Sequence, residues 1–310
     1  MRTFQRILSF LLSPLSWEPE LPLTPPDHLE WNPSLSPQTL QIRGQRIFYV
    51  VKGNGEPVIL IHGYGAGLWV WEKQIDVLSQ AFRVYGLDVI GHGFSERPRI
   101  AYTPDLYIQF MKDFIEAVGI EKASLVGNSM GGGIAWAAAG HFPSRVKKLV
   151  LINCVPPNVL DQGRNDSFRL LRATRRLPFL PYLVLSNPTR RLIRGILEEC
   201  VVNPGLITPE VVERQYRLSK IKGSTWVLFS TFQNADKAPG LRPILARVTH
   251  PTLLLWGEKD RVFPPTVGED LHRALVGSRF MTIKGSGHLP MWEAPDVVNP
   301  AIREFLRDPM

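Results

Sequence analysis

The sequence predicts an α/β fold in which a doubly wound, mostly parallel sheet carries an inserted helical cap. Short apolar segments typical of buried strands alternate with helical segments along most of the chain. This alternation stops over residues 156–240, where prolines interrupt several short helices. The chain has 310 residues, of which 44% are hydrophobic, so we expect one domain. Its core is predicted over residues 39–155 and 241–310, with an N-terminal arm over residues 1–38.

The strands and helices of this core follow one another in a regular order. Residues 39–52 alternate between polar and apolar around Arg43 and Gly44, which predicts an opening hairpin. Parallel strands are expected near residues 58–62, 83–87, 123–128, 147–153, 251–257 and 279–284. Helices are expected near residues 68–80, 105–118, 130–140, 266–275 and 296–306. The second helix has clear ends, because Pro104 begins it and Gly119 ends it.

A serine lies on the predicted turn from a buried strand into a helix. Residues 127–133 read Gly-Asn-Ser-Met-Gly-Gly-Gly, which places Ser129 in a G-x-S-x-G pattern. So sharp a turn needs neighbours without bulky side chains, and it lifts the hydroxyl out of the sheet. The amino terminus of the following helix lies behind any oxyanion that forms there. Ser129 is therefore the predicted nucleophile.

A serine nucleophile needs a general base, and the base needs an orienting acid. Asp260 follows the apolar segment 251–257, and His288 follows the last predicted strand in a Gly-Ser-Gly-His sequence. Glu258 is the rival acid, but Asp260 lies in the loop itself and has the shorter side chain. Ser129, Asp260 and His288 are therefore the predicted catalytic residues, in the chain order expected when loops at one edge of a parallel sheet present them.

A glycine-rich loop follows the predicted strand near residues 58–62. It reads His-Gly-Tyr-Gly-Ala-Gly over residues 62–67 and leaves backbone N–H groups free. The amides of Tyr64 and Met130 are predicted to form an oxyanion hole. A phosphate-binding loop is the competing interpretation, but no Lys-Ser or Lys-Thr pair follows these glycines.

These segments resemble the α/β-hydrolase family over about residues 40–306. The resemblance rests on the serine turn, on the order Ser, Asp, His, and on the segment Asp-Val-Ile-Gly-His-Gly-Phe-Ser at residues 88–95. The sequence around Ser129 is similar to that of esterases and of hydrolases that cleave carbon–carbon bonds in ring-fission products. Haloalkane dehalogenases and epoxide hydrolases of the same fold carry an aspartate at the position of Ser129, which argues against both activities.

The resemblance implies three functions, which differ in class. The first is hydrolysis of carboxylic esters of apolar substrates through an acyl-enzyme, and this is the predicted activity. The second is carbon–carbon bond hydrolysis of ring-fission dienoates, although residues 62–67 depart from the Gly- and Pro-containing loop of that branch. The third is a ligand receptor or scaffold with slow turnover. The presence of all three predicted catalytic residues favours an enzyme.

The cap is expected to cover Ser129 and to supply an apolar wall of the substrate site. Trp226 and Phe229 are the predicted substrate contacts within it. Arg217 is a candidate for binding a substrate carboxylate, as carbon–carbon hydrolysis would require. Packing within the cap is the simpler interpretation of the two aromatic residues.

Positive charge is concentrated in the cap. Residues 156–237 hold 13 Lys and Arg against 7 Asp and Glu, a net charge of +6, whereas the whole chain carries +8. A solvated helical surface and attraction to anionic lipid are both consistent with this excess. Nucleic-acid binding is not expected, because no recognised module accompanies the charge. The oligomeric state is left open.

The N-terminal segment and the cysteines bear on the compartment. Residues 1–17 contain a short apolar run after two arginines, too short to span a bilayer and without a cleavage site for secretion. They either fold back onto the domain or form an interfacial helix on an anionic membrane, and we prefer the second interpretation. Two cysteines, Cys154 and Cys200, and no ligand cluster favour a reducing cytoplasmic location without metal or cofactor.

Overall fold

The computed structural model describes residues 19–308 apart from His28, Arg176 and Pro178. The segment 1–17, for which we predict an interfacial helix, lies outside the described residues. Eight strands form one sheet: β1 (Pro37–Ile42), β2 (Gln45–Lys52), β3 (Pro57–Ile61), β4 (Arg83–Leu87), β5 (Ala123–Asn128), β6 (Val146–Ile152), β7 (Thr252–Gly257) and β8 (Arg279–Ile283).

The sheet is mostly parallel, as predicted. Its strand order is β1-β2-β4-β3-β5-β6-β7-β8, with antiparallel pairing only at β1/β2 and β2/β4 within the described sheet. Arg43 and Gly44 close the β1–β2 hairpin with φ angles of 50° and 77°, a left-handed pair that matches the twist of a two-residue hairpin loop. The carboxyl ends of β3, β5, β6, β7 and β8 therefore lie at one edge of the sheet.

Helices cover both faces of this sheet and its carboxyl edge. They are α1 (Ile75–Leu78), α2 (Pro104–Ala117), α3 (Met130–His141), α4 (Val159–Gln162), α5 (Asp166–Thr174), α6 (Phe179–Ser186), α7 (Arg190–Cys200), α8 (Pro209–Lys220), α9 (Ser224–Asn234), α10 (Arg242–Leu245), α11 (Pro265–Ala274), α12 (Pro290–Glu293) and α13 (Pro295–Arg307). Thr103 caps α2 by accepting a hydrogen bond from the Leu106 amide, and Gly119 follows its end with a φ of 70°.

The single helix predicted near residues 68–80 is wrong. A 3₁₀ turn over Leu68–Trp71 and the short helix α1 occupy this segment instead. All four residues of the turn are buried, so the turn has no solvent face of the kind that an amphipathic surface helix has. The buried carboxylate of Asp88 accepts a hydrogen bond of 2.6 Å from the Leu68 amide and holds the start of the turn.

Seven helices, α4 to α10, lie between β6 and β7 in the described part of that segment. The last of them, α10, packs against α3, where Ile244 lies over Gly140. The arm before β1 is bound to the end of α8, because Leu21 donates to the Lys220 carbonyl at 2.8 Å and accepts from the Lys222 amide at 2.9 Å. Across the described residues, we find no helix with the length and hydropathy needed to cross a bilayer.

Candidate active site

Ser129 lies at the tight turn between β5 and α3. Its backbone has a φ of 53° and a ψ of −120°, a conformation that an L-residue adopts only under constraint. Its amide donates to the Ile152 carbonyl at 3.0 Å. A Cβ atom on Gly131 would clash with the Ile61 carbonyl, and one on Gly127 would clash with the backbone of Gly131. The glycines of the motif are therefore required for the close approach of strand and helix.

His288 and Asp260 meet at the same edge of the sheet. The distance from His288 Nδ1 to Asp260 Oδ2 is 2.8 Å, and both side chains are buried. A carboxylate accepts hydrogen bonds, so this contact places the imidazole proton on Nδ1 and leaves Nε2 as the basic nitrogen. The structure thus brings two of the three predicted catalytic side chains into contact.

The Asp260 carboxylate is held from several directions. Its Oδ1 accepts hydrogen bonds from the amides of Val262 and Phe263 at 2.7 and 3.2 Å. By contrast, the rival carboxylate of Glu258 is exposed and accepts a hydrogen bond from the Gly285 amide at 3.0 Å. Of the two predicted candidates, Asp260 is the one that is hydrogen-bonded to the imidazole.

Asn153 completes the contacts of Asp260, and the sequence interpretation missed it. This residue directly follows β6, is fully buried and has a φ of 43°. Its side-chain amide donates to Asp260 Oδ2 at 2.7 Å, while its Oδ1 accepts from the Gly257 amide at 3.2 Å. The signal that could have found it is its position at the carboxyl end of a predicted parallel strand, beside the strand that carries Asp260.

The loop that carries His288 is fixed by its backbone. The His288 amide donates to the Cys200 carbonyl at 2.8 Å, which joins this loop to the end of α7. Glu293 accepts hydrogen bonds from the Gly287 amide at 2.5 Å and from the Val202 amide at 2.6 Å. The imidazole is therefore oriented by its carboxylate partner and by a loop tied to two helices.

The backbone amides predicted to bind an oxyanion lie beside Ser129. Met130 is the first residue of α3, where the amide has no acceptor within the helix. Gly63 approaches so closely that a Cβ atom there would lie 3.1 Å from Ser129 Cβ, which places the Tyr64 loop against the serine. In the part of the chain that the structure describes, neither the Tyr64 nor the Met130 amide has a backbone acceptor. Both are available to a ligand.

Comparison with known proteins decides the family. The sequence profile of the alpha/beta hydrolase fold matches residues 56–295. The chain belongs to the alpha/beta hydrolase family. An uncharacterized protein of Mycobacterium tuberculosis is 30% identical over 283 residues, covering 88% of this chain and 82% of that protein.

Relatives with named activities differ in reaction. A 2-hydroxy-6-oxononadienedioate/2-hydroxy-6-oxononatrienedioate hydrolase of Klebsiella pneumoniae is 30% identical and covers 82% of this chain and 88% of its own length. Mouse epoxide hydrolase 3 is 28% identical over 86% of this chain and 75% of its own length. Among solved structures, a variant of the meta-cleavage product hydrolase CumD of Pseudomonas fluorescens has a TM-score of 0.75 at 26% identity, covering 87% of this chain and 97% of that one.

A bacterial membrane phospholipase A is a further structural neighbour. Its TM-score is 0.69 at 27% sequence identity, and the match covers 88% of this chain and 86% of that one. The similar proteins therefore share the alpha/beta hydrolase fold while their names describe different reactions.

Two further histidines near the site of this alpha/beta hydrolase are held in structural contacts. His62 Nδ1 lies 2.8 Å from the Gly63 carbonyl, and its Nε2 accepts a hydrogen bond from the Val89 amide at 3.0 Å. Burial lowers the pKa of His62 to about 4 and that of His92 well below its usual value. Both rings are therefore neutral near pH 7, and of these three histidines it is His288 whose ring is hydrogen-bonded to a carboxylate.

Ser129 and His288 line a single cavity between the sheet edge and the helices that follow β6. Its volume is about 360 Å³, and its lining is dominated by aliphatic and aromatic side chains. The polar residues in this lining are uncharged apart from the titratable His288; they include Asn128, Asn165 and Gln215. Among the residues that the structure describes, no Asp, Glu, Lys or Arg lines the cavity.

The predicted substrate contacts Trp226 and Phe229 do not line this cavity. Trp226 donates from its indole nitrogen to the Ile100 carbonyl at 2.8 Å, and Phe229 packs against Tyr182 with ring centroids 5.5 Å apart. Leu228, Thr231 and Phe232 of the same helix, α9, line the cavity instead. The structure therefore places the two predicted aromatic residues outside the cavity lining, although other residues of the same helix belong to it.

Arg217 is also outside the cavity. Its side chain is 64% exposed and its Nε lies 3.2 Å from a carboxylate oxygen of Glu213, one helical turn earlier on α8. The structure therefore places Arg217 at the surface beside Glu213 and not at the cavity wall, in contrast to the predicted role of binding a substrate carboxylate. Within the described ranges there is also no cluster of three or more His, Cys, Asp or Glu side chains arranged to hold a metal ion.

Proposed function

We propose that this protein is a serine hydrolase that cleaves carboxylic esters of apolar substrates through an acyl-enzyme. One observation carries the proposal: Ser129 and His288 lie together on the wall of a cavity whose described lining is apolar and has no fixed charge. An apolar acyl chain gains free energy by leaving water for such a cavity. An ester group is polar but uncharged, so it enters without a large desolvation cost.

In the proposed reaction, Ser129 Oγ attacks the ester carbonyl carbon while its proton passes to His288 Nε2. The negative charge on the carbonyl oxygen is stabilised by the amides of Tyr64 and Met130. The bond to the alcohol then breaks, and His288 returns the proton to the leaving oxygen. A water molecule attacks the acyl-enzyme with the same base and releases the acid.

Asp260 orients His288 and stabilises the imidazolium that forms during each half of the reaction. The carboxylate can do this because its oxygens accept hydrogen bonds from backbone amides as well as from the ring. These contacts keep the ring in one orientation with Nε2 free, which is the state in which the serine proton can be accepted.

Carbon–carbon bond hydrolysis is the second candidate, favoured by the similarity to the Klebsiella pneumoniae hydrolase and to CumD. The name of the first of these describes a dianionic substrate. A carboxylate buried without a cationic partner is strongly destabilised, and no Lys or Arg among the described residues lines the cavity. This argues for a neutral ester. The serine at the turn likewise argues against the epoxide hydrolysis named for the mouse relative.

A panel of p-nitrophenyl esters of increasing acyl length, assayed beside a ring-fission dienoate, tests the proposal. We expect kcat/KM to rise from acetate toward medium chains by up to about fourfold per methylene, since each buried methylene contributes about 0.8 kcal/mol. Arg217→Ala is the matched control and should behave like the wild type. Turnover confined to the dienoate would contradict the ester proposal, and binding without turnover of any substrate would favour a receptor or scaffold.

A further inference from the structure

Helix α6 presents apolar side chains to solvent. Leu183 is 55% exposed and Tyr182 is 40% exposed, and Leu177, two residues before the helix, is 52% exposed. We refer to Leu177, Tyr182 and Leu183 as the α6 surface. Exposed apolar side chains that are grouped together, here within seven residues, are a feature of surfaces that associate with a partner or a membrane.

The same part of the chain has an exceptional excess of positive charge. Residues 163–200, which span α5 to α7, contain eight arginines and no lysine, against Asp166, Glu198 and Glu199, so their formal net charge is +5. Arg169, Arg172 and Arg191 are exposed among them. The chain as a whole carries +8. More than half of the net charge therefore belongs to the segment that contains α6 and its neighbours α5 and α7.

The α6 surface is close to the proposed substrate cavity. Leu185, on the same helix, lines the cavity, and so does Ile196 on α7. Ile196 is also 36% exposed, so apolar surface continues from the outside of these helices to the cavity wall.

We propose that the α6 surface docks onto membranes containing anionic lipids and that the cavity takes its ester substrate from the bilayer. Leu177, Tyr182 and Leu183 would enter the boundary between headgroups and acyl chains, while the surrounding arginines contact lipid phosphates. A second copy of this chain is a poor occupant, because it would bring two strongly positive surfaces together. Membrane docking does not depend on the proposed esterase function, whereas the proposal of a lipid-ester substrate rests on that function.

Binding is tested with full-length Ser129→Ala protein, which removes turnover from the measurement. We expect it to sediment with vesicles that contain phosphatidylglycerol and to stay in solution with pure phosphatidylcholine. Adding Leu183→Asp or Leu177→Asp should lower the partition coefficient about tenfold or more. The matched control is Val276→Asp. This residue is 89% exposed and precedes β8, at the edge of the sheet where the parallel strands begin. It should leave the partition coefficient unchanged.

The charge contribution is tested in the same assay with Arg191→Glu, matched by the exposed Arg247→Glu at the same edge as Val276. Only the first change should weaken sedimentation. Equal sedimentation of Leu183→Asp and its parent would overturn the proposal. So would loss of binding on deletion of residues 1–17 while the α6 variants bind normally, because the N-terminal segment would then be the anchor.

Turnover separates this proposal from the proposed function. In a Ser129-containing background, Leu183→Asp should hydrolyse soluble p-nitrophenyl butyrate at the wild-type rate but cleave lipid esters in anionic vesicles at least about tenfold more slowly. Absence of butyrate hydrolysis in the wild type would contradict the esterase proposal and leave the binding result intact. Equal rates on vesicles for both proteins would contradict delivery from the membrane.

Discussion

Replacing Asn153 by glycine tests whether the contacts of Asp260 control the reaction. Glycine removes the side-chain amide and still accepts the left-handed backbone at this position, where alanine would add strain. The change deletes the 2.7 Å hydrogen bond to Asp260 Oδ2 and leaves the buried Gly257 amide without its acceptor. The substitution therefore removes one of the hydrogen bonds that hold the Asp260 carboxylate and introduces no new charge.

The expected magnitude follows from these two contacts. A hydrogen bond to a charged group contributes about 1.5–3 kcal/mol, and an unsatisfied buried donor costs about 1–3 kcal/mol, so the free energy of unfolding should fall by roughly 2.5–6 kcal/mol. Since Asn153 does not line the cavity, KM should change little. A less constrained Asp260 should lower kcat by about 10- to 100-fold, which corresponds to roughly 1.4–3 kcal/mol in the barrier.

The assay combines urea unfolding with ester kinetics across pH. Asn234→Ala is the control, because it removes an amide whose main hydrogen bond is to a helical carbonyl, that of Ser230 at 2.8 Å, away from Asp260. Asn153→Asp keeps the shape of the side chain and places a second carboxylate against Asp260, so it should alter the pH profile of kcat as well as its maximum. A wild-type kcat in Asn153→Gly would refute the idea that this residue positions the acid.

Two other predictions concern the acid and a buried histidine. Asp260→Asn should lower kcat by orders of magnitude while the exposed Glu258→Gln stays near wild type, because only Asp260 contacts the imidazole; a dead Glu258→Gln beside an active Asp260→Asn would reverse the assignment. Burial lowers the pKa of His62 from 6.5 to about 4, so its neutral form stabilises the fold above about pH 6.5 and this stabilisation is lost as the pH falls through about 4. The stability advantage of the wild type over His62→Gln in urea unfolding should therefore shrink by about 3 kcal/mol between pH 7 and pH 4, and a constant difference would contradict the lowered pKa.

The arrangement around Asp260 and His288 was predictable because it depends on the ends of strands. Apolar runs identify parallel strands, and the carboxyl ends of such strands share one edge of the sheet, so residues that follow β5, β7 and β8 converge there. The glycines around Ser129 add a local constraint that a sequence displays directly. These signals need no knowledge of how side chains pack over long distances.

Asn153 and the lining of the cavity depend on such packing. Asn153 is separated from Asp260 by 107 positions, and an asparagine after a strand is also common in ordinary turns. On α9, aromatic residues occur on both faces, so the sequence could not tell that Leu228 faces the cavity while Trp226 faces outward. Arg217 pairs with Glu213 one helical turn away. Whether an arginine binds a neighbouring carboxylate at the surface or a ligand depends on the fold around it.

The most direct test of the account is identification of the residue that becomes acylated. Protein quenched during turnover of a p-nitrophenyl ester, or treated with a fluorophosphonate, is digested and its peptides are analysed by mass spectrometry. We predict a single adduct on Ser129, no adduct and no turnover in Ser129→Ala, and a free energy of unfolding for that variant within about 1 kcal/mol of the wild type. Ester turnover that persists in Ser129→Ala, or an adduct found on another residue, would contradict the proposed mechanism.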